Sequence, residues 1–125
     1  MTISEFIKKY NLHDSLIESI DYDKNNCTVR INIDFCYWQQ EYYTDDMQET
    51  GEIQIIFSKV SKFDCVPVEI NCDGIIDVRQ TEDNEMYLEF LNDKTEECHS
   101  LTIAAESVSV SSIQEPTKGD ISSLK

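Results

Sequence analysis

The chain has 125 residues, 40% of them apolar, with 25 acids against 10 bases and a formal net charge of −15. That length suits one hydrophobic core and is too short for two, and the apolar content excludes a disordered chain. The acid excess repels phosphate backbones and anionic bilayers, which disfavours nucleic-acid and membrane binding and favours a basic protein partner.

In chain order, Thr2-Ile3-Ser4-Glu5 has the spacing of a capping box, and Phe6, Ile7 and Tyr10 then share one helical face. A short helix ending near Asn11, with Asn11 as a left-handed cap, is predicted. The N-terminus lacks a basic stretch followed by an apolar run, and no uncharged stretch is long enough to span a bilayer. The expected location is cytoplasmic.

His13-Asp14-Ser15 follows. Consecutive residues diverge in direction, so these three cannot form a triad with one another. They suit a corner instead, with Asp14 or Ser15 bonding backbone amides between helix and strand. Leu16–Tyr22 is read as a strand, although Leu12, Leu16 and Ile20 also fit a helical stripe. Asp23-Lys24-Asn25-Asn26 is a turn, and Cys27, Val29, Ile31, Ile33, Phe35 and Tyr37 alternate with polar residues as a long half-buried strand.

Ile53, Ile55 and Phe57 alternate inward, as do Met86, Leu88 and Phe90. Ile75–Arg79 is the strand before the Asp83-Asn84 turn. In the last strand Leu101, Ile103 and Ala105 are in one phase and Val108 and Val110 in the other, which predicts a bulge or bend between them. Pro67 is assigned to a connection or a sheet edge, and residues 114–125 to a loose C-terminal tail. The fold class is α+β: a mostly antiparallel, curved sheet of about six strands with a short N-terminal helix, in a single domain over 1–125.

Five cysteines at irregular intervals, without C-x-x-C spacing, read as reduced packing residues, Cys27 among them. The two histidines, His13 and His99, show no metal-ligand spacing, and Gly-rich phosphate loops and nucleophile motifs are missing. No cofactor, metal or catalytic residue is assigned.

The segment that stands out is YWQQEYYTDDMQE, Tyr37–Glu49. It lies within Ile31–Ser58, which holds six acids and no base. Aromatic side chains supply large amphipathic contact area, and carboxylates around them suit a lysine- or arginine-rich partner. Trp38, Tyr42 and Tyr43 are the candidate anchors, and Asp45, Asp46 and Glu49 the candidate steering charges. The structural alternative is that Tyr37, Trp38 and Tyr43 close one end of the core.

His-Asp-Ser followed by Ile17 and Ile20, then a long strand ending in Trp38, resembles small bacterial domains of the immunity-protein type, over roughly Leu12–Val60. The resemblance implies an α+β fold, a cytoplasmic location and no catalysis: an acidic protein that neutralises a basic toxin by binding it. The competing expectation is a small enzyme or ligand carrier with its site in the concave face of a curved β-sheet.

Overall fold

The computed structural model describes residues 1–66, 73–92 and 95–113. Its elements are α1 (Ile3–Lys9), β1 (Leu16–Asp23), β2 (Thr28–Cys36), a 3-10 turn at Tyr37–Gln39, β3 (Thr50–Val66), β4 (Asp73–Glu82), β5 (Glu85–Leu91) and β6 (Cys98–Ser111). Every strand pair is antiparallel. The order β1-β2-β3-β6-β5-β4 returns to β1 and closes a barrel. The expected antiparallel six-strand sheet with one short helix is therefore the architecture.

The capping box forms as its spacing requires. Thr2 Oγ1 accepts from the Glu5 amide at 3.1 Å, and Glu5 Oε1 accepts from the Thr2 amide at 2.8 Å. Lys8 and Lys9 occupy the last turn, where cations complement the helix dipole. The helix stops at Lys9, one turn residue earlier than expected, and its cap is Tyr10 in an extended conformation rather than Asn11. Tyr10 leaves the helix because its ring is buried edge-on against Phe35, at 6.1 Å, while Phe6 meets Phe57 at 6.4 Å.

The two-residue period of β2 translates directly into burial: Val29, Ile31, Ile33 and Phe35 point inward. Register aligns them with neighbours on both sides, Ile31 standing between Ile20 and Ile55, and Ile33 between Ile17 and Ile53. A bulge between Ile17 and Ser19 puts Ile17 and Ile20, three residues apart, on the same face. The helical stripe of Leu12, Leu16 and Ile20 does not form: Leu12 precedes the strand, and Leu16 and Ile20 are both in β1.

Cys27 corrects the sequence reading. It is exposed, sits at φ 49° in the β1–β2 turn, and is not part of the inward row. Its carbonyl instead accepts the Val60 amide at 2.8 Å.

β3 runs far past Phe57. Its alternation breaks at Lys59, held at φ 55°, so Phe57 and Val60 both point inward. Their partners on β6, Val108 and Ala105, slip by the same amount. The expected slip in the last strand is thus one half of a bend that two strands share. Backbone groups freed at the bend are satisfied from elsewhere: the Ala105 amide donates to Asn84 O at 3.0 Å, and the Val108 amide to Met1 O at 2.8 Å. The Met1 ammonium returns a bond to Val108 O at 3.0 Å.

The inward face is filled. Phe35, Tyr37, Phe57 and Phe90 are fully buried there, together with Ile33, Ile75 and Ile103. A six-stranded barrel has room for side chains and little else. The barrel interior is therefore a packed core. β5 accompanies β6 only as far as Ala104, and α1 packs against β4 and β6 in the opening beyond it. Pro67 and residues 114–125 lie outside the described residues.

Candidate functional site

The corner at His13-Asp14-Ser15 is structural in its bonding. Ser15 is fully buried, and its Oγ accepts the Cys36 amide at 3.0 Å. Its own amide donates to Leu12 O at 3.0 Å, and its carbonyl accepts the Ile75 amide at 2.9 Å. Asp14, at φ 68°, makes the turn between α1 and β1. Its amide donates to Ile75 O at 2.9 Å, and its carboxylate accepts from Gln39 Nε2 at 3.0 Å. Burial pushes the Cys36 thiol above its usual range, so it stays protonated and donates to Asp14 O at 3.4 Å. A hydroxyl sealed in this way presents no face to a substrate. His13 Nδ1 lies 3.3 Å from Asp14 Oδ2, both at the surface.

The segment after β2 is built on that corner. Gln40 is buried: its Nε2 donates to Asn11 O at 2.7 Å and Cys36 O at 2.9 Å, and its Oε1 accepts the Asn11 amide at 2.8 Å. One side chain therefore ties the 3-10 turn to the exit of α1. The amides of Tyr37 and Trp38 both donate to Glu49 O, at 2.8 and 3.2 Å, which closes the loop at its base. Inside the loop, Tyr43 N bonds Gln40 O, Met47 N bonds Thr44 O, and the Thr44 hydroxyl bonds the Asp46 carboxylate.

Tyr37 and Met47 supply the inner surface of the loop. Tyr37 is fully buried, edge-on to Phe35 at 5.1 Å. Gly51 permits this, because a Cβ there would come within 3.0 Å of the Tyr37 ring and closer still to Gln48. Trp38, the next residue along a tight turn, points the other way and is 48% exposed.

The sequence-derived candidates therefore separate. Trp38 is half-exposed, its side chain reaching the Cys36 thiol, and Asp45, Asp46 and Glu49 are exposed around the same loop. Tyr42 and Tyr43 are half-buried and pack against the core. Of the three residues that the structural alternative would place in the core, Tyr37 is there, Tyr43 is there in part, and Trp38 is not. Gln39 and Gln40 are neither aromatic nor charged, and composition does not single them out. The one available signal was their position between a strand end and a run of acids.

Among the described residues no three His, Cys, Asp or Glu side chains gather as metal ligands, and no helix is long and apolar enough to cross a membrane. Comparison with protein-family models, with curated proteins and with solved structures finds no match for this chain.

Proposed function

We propose that this chain is a non-catalytic, cytoplasmic binding protein whose Tyr37–Glu49 loop docks a basic protein partner. The observation that carries the reading is Trp38: a large apolar side chain 48% exposed on a turn anchored at both ends, inside a stretch with six acids and no base. Leaving an indole in water forgoes its burial energy, and a fixed backbone lowers the entropy lost when a partner covers it. Asp45, Asp46 and Glu49 supply the attraction at a distance. The resemblance of Leu12–Val60 to immunity-type domains supports the more specific form, in which the basic partner is a toxin.

Two variants divide the roles. Proteins co-purifying from lysate, and the product of the neighbouring gene, are tested against wild type and Trp38→Ala, and any partner is then followed kinetically. Removal of the anchor speeds dissociation and costs about 2 kcal/mol, roughly thirty-fold in affinity. Asp45→Asn with Asp46→Asn slows association and flattens its salt dependence. Undiminished partner binding by folded Trp38→Ala removes this surface from the reading.

A further inference from the structure

The β1–β4 seam ends abruptly. Ser15 and Ile75 are joined across it, and Asp14 then turns His13 and Leu12 away toward α1. From Ile76 to Glu82, β4 has β5 on one side and, among the described residues, no strand on the other. Unpaired strand edges are uncommon in stable folds, since their open amides and carbonyls recruit other chains. Bulges at Ile75/Asp77 and Gln80/Glu82 bracket the edge, leaving Asp77–Gln80 as its regular part. That is short enough to admit a few residues of an extended segment and to reject a long strand.

A cleft of about 380 Å³ runs between this edge and α1. Ile7, Ile76 and Val78 give it an apolar floor, and Ile76 is 37% exposed. Lys8, Lys9 and His13 also line it, with Gln39, Gln40 and Glu41 from the loop after β2. Of the acids at the cleft, Asp77 is neutralised by Arg79 at 2.7 Å, which leaves Glu41 against two lysines. With Asp14 beside His13 at 3.3 Å, basic and acidic groups balance here, on a chain of net charge −15, and the two lysines stand together on α1.

We propose that the cleft is a strand-addition site for an extended acidic segment of a partner protein. The segment takes the place that the chain vacates at Asp14, pairing its backbone with Asp77–Gln80. It lays an aliphatic side chain on Ile7, Ile76 and Val78 and turns carboxylates toward Lys8 and Lys9. Main-chain bonds supply affinity in this mode and the alternate side chains supply selectivity. This surface adjoins the Tyr37–Glu49 loop, whose Gln39, Gln40 and Glu41 line it, but does not include Trp38 and selects the opposite charge.

The probe is a labelled six-residue peptide alternating glutamate and valine, titrated by fluorescence anisotropy at physiological salt, where screening over about 8 Å confines competition to neighbouring charges. Two control peptides carry either N-methylated alternate amides or lysine in place of glutamate. Saturable binding by the acidic peptide is expected, weakened about ten-fold by N-methylation, which removes strand-pairing donors. Lys8→Gln with Lys9→Gln weakens it about five-fold, and Ile76→Asp at least as much. Circular dichroism verifies that these surface variants stay folded. Trp38→Ala leaves peptide affinity within about two-fold, which separates this site from the Trp38 anchor. Amides of Asp77 and Arg79 exchange more slowly in the complex. The proposal is overturned by no saturation into the millimolar range, by equal binding of the N-methylated peptide, by tighter binding of the lysine peptide, or by dependence on Trp38.

Discussion

Replacing Ser15 with Ala removes one oxygen from a fully buried position and leaves its backbone bonds in place. The Cys36 amide, itself buried, then loses its acceptor at 3.0 Å. A net hydrogen bond is worth about 1 kcal/mol, but an orphaned buried donor costs its whole desolvation penalty, about 1–3 kcal/mol. The upper half of that range applies here, because α1, β1, β2 and the seam to β4 all meet at this corner, leaving little freedom for the amide to reach water. Apolar burial hardly changes, so no compensating gain is available. With a urea m-value of about 1.5 kcal/mol per M, a loss of about 2 kcal/mol lowers the denaturation midpoint by roughly 1.3 M at constant slope. Ser19→Ala is the control: Ser19 Oγ accepts from Asn32 Nδ2 at 2.8 Å at the exposed surface, and its loss should cost under about 0.5 kcal/mol. Equal midpoints for the two variants would refute the assignment of Ser15 as the clasp of the corner.

Two further predictions follow from the barrel wall. Ile33→Ala empties a fully buried site flanked by Ile17 and Ile53 and should cost about 2–5 kcal/mol in urea unfolding. Glu18 is held above the usual carboxylate range, first by desolvation and then by Glu52 and Asp34 nearby. Because its folded pKa exceeds its unfolded one, the folded state binds the extra proton, and stability is lost as pH rises through that interval. Glu18→Gln should therefore raise the midpoint at pH 7, and the gain should vanish below the ordinary carboxylate range near pH 4; a gain unchanged at low pH would show that charge is not its cause.

Where local chemistry determined the outcome, it was legible in the chain. Thr2 and Glu5 cap α1 as their spacing requires, and the Asp83-Asn84 turn forms with Asn84 at φ 62°. The inward rows of β2 and β5 follow their period of two. Reading faltered where a backbone departure reset the period. Lys59 at φ 55° hides the second half of β3, and Cys27 continues the phase of β2 on paper while sitting in a turn. Barrel closure left no mark in any single segment, since the seam joins Ser15 to Ile75, sixty positions along the chain. At the candidate loop, composition located the segment but could not say which aromatic faces solvent. That depended on the tight turn at Tyr37–Gln39, which buries Tyr37 and leaves its neighbour Trp38 48% exposed.

The seam also bears on the order in which the molecule assembles. β1–β2 and β4–β5 are hairpins whose strands lie close in sequence, and each loses little chain entropy on closing. Strand pairing between β1 and β4, by contrast, rests on Leu16↔Gly74 and Ile17↔Asp73 among the described residues. A contact so distant in sequence closes a large loop and forms late. Amide exchange in the native state should reach the middle of β2, whose inward row is buried, only with global unfolding. Ser15 then fixes two joins at once, holding β2 through the Cys36 amide and β4 through the Ile75 amide.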